Sequence, residues 1–190
     1  QPGELVLDVC SAPGGKTTHM AALMENRGRI VACDIYDHKL QRVMENAARL
    51  GINIIDLMLK DAREIHQDFS QQADRVLVDA PCSGLGVLRR KPDSRWRKTQ
   101  QLLKELPELQ LEILKSGAAC VKPGGILVYS TCTIAREENQ AVVENFLKDN
   151  AEFQLEHTGS RLPVPREDAM VQLYPQRDGT DGFFIACMRR

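Results

Sequence analysis

Short, nearly uninterrupted apolar runs recur along the first two thirds of this chain, with longer stretches between them whose apolar positions fall three and four apart. Residues 5–9, 29–33, 54–59, 75–78 and 125–129 are rich in Val, Ile and Leu, as strands buried on both faces of a parallel sheet are. Residues 17–26, 37–50, 102–120 and 137–148 carry helical spacing and are predicted to be the crossover helices. Gly28, Gly51 and Gly124 stand just beyond helical patterns, where helices commonly stop. The alternation predicts an α/β, doubly wound architecture. It changes after residue 150. Residues 153–156 read as a strand, 158–181 as a long loop rich in Gly, Pro and charge, and 183–188 as a final strand paired antiparallel at the sheet edge.

With 190 residues, 43% hydrophobic and 27% charged, the composition is that of a soluble globular protein and excludes a disordered or collagen-like chain. The length fits one domain with one site. No apolar run approaches the ~20 residues of a membrane span. The opening Gln1-Pro2-Gly3-Glu4 has no signal-peptide character, and a cytoplasmic location is expected. Because the first strand begins almost at residue 1, an upstream portion of a longer protein is expected to be missing. Six cysteines, at 10, 33, 82, 120, 132 and 187, include no CxxC pair, so neither zinc nor a redox disulfide is expected. Cys33, Cys120 and Cys187 lie in apolar stretches and read as small buried hydrophobes. Cys82 and Cys132 follow strand-like runs, where an α/β sheet presents groups to its cleft.

Cys10-Ser11-Ala12-Pro13-Gly14-Gly15-Lys16-Thr17 joins the first strand to its helix, a place where backbone N–H groups and the helix dipole can hold an anionic or polar ligand. A phosphate-binding loop of the ATPase kind needs glycine five residues before Gly15, and that residue is Cys10; the dinucleotide pattern G-x-G-x-x-G is absent too. Asp34, Asp61 and Asp79 end or follow the second, third and fourth strands. Any one of them alone reads as a helix cap or turn former. As a set beside a glycine turn they point to a nucleoside ligand with a ribose, an adenine amine and an amino-acid ammonium for the three carboxylates. S-adenosylmethionine has all three.

Three motifs stand in order: Asp8 to Thr18 with the sequence DVCSAPGGKTT, Asp79-Ala80-Pro81-Cys82-Ser83-Gly84, and Ser130-Thr131-Cys132-Thr133. Together they resemble the RNA cytosine-C5 methyltransferases of the NOL1/NOP2/Sun family, through Asp181-Gly182-Phe183-Phe184. The segment from Gly86 to Trp96 resembles the bacterial 16S ribosomal-RNA branch known as Sun, Fmu or RsmB. The resemblance implies a Rossmann-like methyltransferase fold with a mostly parallel seven-stranded sheet and an antiparallel C-terminal edge strand. It also implies a catalytic domain spanning 1–190, from which the usual upstream RNA-binding region is absent. Cytosine C5 is a poor nucleophile until a thiolate adds at C6, and the later loss of the C5 proton calls for a base. By resemblance Cys132 is the nucleophile, Cys82 assists resolution of the adduct, and Asp79 contacts the base or the cofactor. Cys10, Ser11, Ala12, Pro13, Gly14, Gly15, Lys16, Asp34 and Asp61 are expected to hold S-adenosylmethionine. Lys16 either lowers a nearby thiol's pKa or binds backbone carbonyls. DNA cytosine methyltransferases use the Pro-Cys cysteine instead, but their Glu-Asn-Val motif is missing; Glu144-Asn145-Phe146 is the nearest run.

Net charge is −1, which taken alone argues against nucleic acid. The distribution reverses that reading. Residues 89–98 hold six cations and one anion, a local +5, leaving −6 for the other 180. Such a run is usually a solvated face; here it follows the Pro-Cys motif and contains the only Trp. Arg89, Arg90, Lys91, Arg95, Trp96 and Arg97 are therefore expected to bind single-stranded RNA through phosphates and stacking, with the target cytosine turned out of its stack. The expected partner is 16S ribosomal RNA, with tRNA as an alternative. No metal or membrane is expected, and the chain is expected to act as a monomer. The rival classes are a noncatalytic RNA-binding module with a nucleoside pocket and, third, an ATPase.

Overall fold

A computed structural model describes residues 1–97, 99–163 and 165–190, without the side chains of residues 97, 100, 102 and 161. The chain forms two compact units, one of residues 1–79, 115–127 and 190, the other of residues 80–114 and 128–189.

The first unit contains β1 (Leu5–Asp8), α1 (Gly15–Leu23), β2 (Arg29–Asp34), α2 (Asp37–Arg49), β3 (Ile55–Leu59), the short α3 (His66–Phe69) and β4 (Ala73–Asp79). It also takes in the end of α4 (Gln100–Cys120) and the start of β5 (Val121–Thr131). Its strand order is β3-β2-β1-β4-β5, with β2 parallel to β3 and β1 parallel to both β2 and β4. The register sets Val6 opposite both Ile30 and Arg75. Continuous apolar runs become strands here because both sheet faces are covered. Leu7, Ile30 and Val76 are each at most 1% exposed, and burial of such side chains stabilises by about 1.5–3 kcal/mol apiece. Val6, Ala21, Met24 and Ile30 pack as one cluster, with Met20 and Ile52 at its margin. Between β1 and β4 the strand order reverses direction. That is the switch point at which doubly wound sheets bind ligands, beyond the strands' carboxyl ends.

The second unit holds most of α4, the end of β5, α5 (Gln140–Asp149), β6 (Gln154–Leu155), β7 (Met170–Leu173), α6 (Pro175–Asp178) and β8 (Phe183–Arg189). Its order is β5-β8-β6, and β7 pairs with β8 off this path. β8 runs antiparallel to both β6 and β7, which gives the antiparallel C-terminal edge expected from sequence, although the described residues form eight strands rather than the expected seven because β7 adds to β8 off the main path. α5 buries Val142, Val143 and Phe146, and the Phe146 ring meets Phe153 edge-on at 5.3 Å between centroids.

The structure corrects the sequence reading in several places. Residues 158–181 are not one loop: they contain a 3-10 turn, Thr158–Arg161, then β7 and α6. β7 is held by pairing with β8, with Val171 opposite Ile185, a tertiary partner that local composition does not reveal. The expected helix 137–148 begins at Gln140, so Glu137, Glu138 and Asn139 precede it. Gly28 lies five residues beyond the end of α1, and Gly124 lies inside β5; only Gly51, after the residue that caps α2, sits where a helix stop was expected. Among the described residues no helix is long and apolar enough to cross a membrane.

Candidate active site

In the first unit the glycine-rich turn leaves β1 and enters α1. Gly14 precedes the helix with φ +100, and a Cβ there would lie 3.0 Å from the Val43 Cα and 3.2 Å from its Cγ1. Only glycine meets both demands, a left-handed backbone and close approach to α2. Asn46 of α2 donates its side-chain N–H to the Pro13 carbonyl at 3.0 Å, fixing the turn from the same side. Gly14 stands at the capping position of α1, so no side chain caps the helix start. Ser11 is buried with its hydroxyl on the Cys33 carbonyl, 3.1 Å away. Cys10 and Ala12 are half-buried, whereas Pro13, Gly15 and Lys16 are exposed. Lys16 extends to Asp79, with Nζ 2.7 Å from Oδ2. The pair spans the switch point, and the structure thus places Lys16 on a carboxylate, a role the sequence reading did not foresee.

The three strand-end carboxylates differ in what already engages them. Asp34 accepts the Tyr36 backbone N–H at 3.1 Å. Asp61 caps the turn Ala62–Glu64 by accepting from Arg63 N, and the Arg63 guanidinium hydrogen-bonded to it lowers its carboxyl below the ordinary value. Asp61 thus acts as the cap of this turn, the role a single strand-end Asp was expected to have. Sequence reasoning gave no role to Asp8, which ends β1 at 1% exposure. Its Oδ2 accepts from the Thr17 hydroxyl at 2.7 Å, while buried Oδ1 has no hydrogen-bond partner. Burial, opposed chiefly by that bond, pushes the carboxyl up to about 7. A carboxylate closing an apolar strand run was the available signal.

The second unit brings the two singled-out cysteines together. Sγ of Cys82 lies 3.2 Å from Sγ of Cys132, although 50 residues separate them. Hydrogen bonding to Cys132, followed by burial, drives the Cys82 thiol far above its ordinary range. Either sulfur can be the donor of that hydrogen bond. The other cysteines do not join them: burial pushes Cys33 and Cys120 up to about 12, and Cys187 is buried. Among the described residues no group of His, Cys, Asp or Glu is arranged to hold a metal.

Directly after the Pro-Cys motif the chain passes through a narrow gap. Gly86 N–H donates to the Cys132 carbonyl at 3.0 Å, and Gly182 N–H donates to the Gly86 carbonyl at 2.9 Å. A Cβ on Gly86 would sit 2.0 Å from the Gly182 oxygen and 2.8 Å from the Cys132 oxygen. Both are backbone atoms that cannot swing aside. Gly86→Ala is therefore expected to cost about 3 kcal/mol or more and to displace Cys132; equilibrium denaturation beside the parent chain measures it, and an unchanged midpoint would contradict the packing.

The basic segment begins three residues on. Arg89 Nε lies 2.7 Å from Asp181 Oδ1, and Arg90 pairs with the other carboxylate oxygen. Two of its six cations are thus matched by a carboxylate from outside the segment, which the local +5 did not reveal. Trp96 is 77% exposed, and the Arg95 guanidinium stands 4.4 Å from its ring centroid. Lys91 is exposed. The side chain of Arg97, and Lys98 altogether, lie outside the described residues.

The model of the 16S rRNA methyltransferase RsmB/F family matches residues 1–189. The chain belongs to this family. It is 46% identical over 193 residues to a Bacillus subtilis (strain 168) protein described as "Probable ribosomal RNA small subunit methyltransferase B", covering 98% of this chain and 43% of that one. A Yersinia enterocolitica ribosomal RNA small subunit methyltransferase B is 40% identical, with 98% and 42% covered. The crystal structure of NSun6 from Pyrococcus horikoshii with SFG superposes at a TM-score of 0.87, with 34% identity over 98% of this chain and 47% of that one. This RsmB/F-family chain thus spans less than half the length of these relatives, and its fold is the Rossmann-like methyltransferase fold that the motifs implied.

Proposed function

We propose that this chain is the catalytic domain of an enzyme that transfers a methyl group from S-adenosylmethionine to C5 of a cytosine in small-subunit ribosomal RNA. The observation that carries the reading is the Cys82–Cys132 pair, with its sulfurs 3.2 Å apart. The names of the Bacillus and Yersinia relatives support the RNA class. NSun6, solved with SFG, an analogue of S-adenosylmethionine, supports the cofactor, as do the uncapped start of α1 and the tight Gly14 turn. The turn from Cys10 to Lys16 with Asp34 and Asp61 would hold S-adenosylmethionine, which supplies an electrophilic methyl group.

The chain's own groups divide the remaining work. Cys132, as thiolate, adds to cytosine C6 and makes C5 nucleophilic. Cys82 hydrogen-bonds the Cys132 sulfur, so when the C5 proton passes to a base from solvent and the C6–S electron pair returns to Cys132, the departing thiolate meets a thiol already in place. By the family resemblance Asp79, which holds Lys16 Nζ at 2.7 Å, would contact the base or the cofactor, as an acceptor or donor that stabilises developing charge. Arg95, Trp96 and Lys91 form an exposed cationic and aromatic surface for unpaired RNA.

Two measurements test this. Purified protein incubated with methyl-labelled S-adenosylmethionine and small-subunit RNA should place label on cytosine C5, read by nuclease digestion and mass spectrometry; label only on another atom or base would refute the reaction. Competition between S-adenosylmethionine and ATP should show binding of the first alone. Trp96→Ala is expected to weaken RNA binding by about 1–3 kcal/mol, the range for one base stacked on an aromatic ring, with melting temperature and cofactor affinity unchanged. Equal RNA affinity of variant and parent would remove Trp96 from the surface.

A further inference from the structure

Behind the two thiols the second unit buries a carboxylate to which the chemistry above gives no part. Glu138 lies between β5 and α5 and is 1% exposed. Its Oε2 accepts the Ser83 backbone N–H at 2.8 Å and the Gln110 side-chain amide at 2.9 Å. Its Oε1 accepts the Ser83 hydroxyl, with the Thr133 hydroxyl 3.3 Å away. The two hydroxyls are themselves 2.8 Å apart. Ser83 and Thr133 are the residues immediately after Cys82 and Cys132. The Gln110 amide also donates to the Pro81 carbonyl at 3.0 Å, so the peptide groups on both sides of Cys82 lead back to one carboxylate. From behind, the Tyr129 hydroxyl donates to the Glu138 carbonyl at 2.6 Å.

Stability alone does not account for this arrangement. Burying a carboxylate among neutral donors carries a desolvation cost, and apolar side chains of similar volume often replace buried charged groups without loss. What a carboxylate adds is direction. It orients donors from two loops at one point, and charge-assisted bonds hold them in a narrower geometry than neutral ones. We propose that Glu138 is a positioning residue: its carboxylate ties the loop bearing Cys82 to the loop bearing Cys132 and so sets the separation of the two sulfurs. This deepens the two-cysteine mechanism and rests on it for its catalytic meaning, but the geometric claim can be tested separately.

The sulfurs give a readout that needs neither RNA nor methyl donor. Diamide, an azo oxidant, joins adjacent thiols: two S–H bonds break, one S–S bond forms, and two electrons with two protons reduce N=N to the hydrazine. Closure of the Cys82–Cys132 disulfide, followed by peptide mass mapping, reports the effective concentration of one thiol at the other. In Glu138→Gln one carboxylate oxygen becomes a donor facing groups that were donating to it, and closure is expected to slow at least tenfold while the chain still melts cooperatively. Thr133→Val keeps the volume but removes the hydroxyl link, and a smaller slowing is expected. In methylation assays Glu138→Gln should lower kcat with KM for RNA and cofactor unchanged. A folded Glu138→Gln that closes the disulfide at the parent rate overturns the proposal. If that variant fails to fold, parent-rate closure in Thr133→Val overturns it equally. Fast closure in a parent chain that methylates no cytosine would instead overturn the proposed function and leave the positioning claim standing.

Discussion

Cys132→Ala should abolish methyl transfer and leave no covalent complex with RNA, whereas Cys82→Ala should trap one. On the proposed mechanism the first variant lacks the sulfur that adds to C6, so C5 never becomes nucleophilic. The second retains that sulfur but loses the thiol 3.2 Å from it. On the same proposed mechanism addition and methylation can then proceed, while the elimination that sends the C5 proton to a base and the C6–S electron pair back to Cys132 loses the thiol that would stabilise the departing sulfur. A loss of about 10²–10⁴ in turnover is the usual scale for removing such a group, and the stalled species should run as a protein–RNA band on a denaturing gel. The reverse pattern, an adduct with Cys132→Ala and none with Cys82→Ala, would assign the nucleophile to the Pro-Cys cysteine, as in the DNA enzymes. Turnover at the parent rate in either variant would remove that thiol from the mechanism.

Asp8 should make the chain lose stability as pH rises from about 4 to about 7. Its carboxyl titrates near 7 in the folded chain against an ordinary value of 3.8. Across that interval the folded state therefore keeps a proton that the unfolded state has released. Stability is highest below the interval, falls through it and levels off above 7, by about 4 kcal/mol in all. Asp8→Asn keeps an acceptor for the Thr17 hydroxyl and cannot ionise. It does bury an amide group where Oδ1 had no partner, a pH-independent cost of about 1–3 kcal/mol. The stability difference between variant and parent should thus shift steadily in the variant's favour from pH 4.5 to pH 7.5, as measured by denaturant titration at each pH. A difference that stays constant with pH would show that another group titrates.

The strands of the first unit were legible because β1 and β2 are apolar runs whose side chains are mostly buried, and composition marks such runs; the edge strand β3 was expected to be buried as well but is only partly covered, with Leu59 60% exposed. β7 was not, because Met170 to Leu173 lie among Gly, Pro and charged residues and become a strand only through pairing with β8. At the site, the thiols and the glycine turn could be read because their motifs are contiguous. Asp34 and Asp61 could be placed at strand ends, but not the local partners that engage them. Glu138 was hidden by its setting, since a glutamate at the edge of a helical pattern reads as solvent-facing. Gln110 gave a fainter signal. It is fully buried on the α4 stripe that includes Leu106, Ile113 and Leu114, a polar side chain where the helical period calls for an apolar one.

The attachment of Arg89 and Arg90 to Asp181 bears on how strongly salt should oppose RNA binding. A cation that meets RNA from bulk solution releases counterions, and affinity then falls with added salt by about 0.7 per single-strand phosphate on logarithmic axes. These two arginines start from a protein carboxylate instead, so a phosphate that takes them must displace Asp181, and the transaction is largely an exchange of one anion for another. The salt slope should therefore count fewer cations than the segment contains. On the proposed function the arginines would contribute registry, an RNA backbone recognised by where two guanidinium groups are already held.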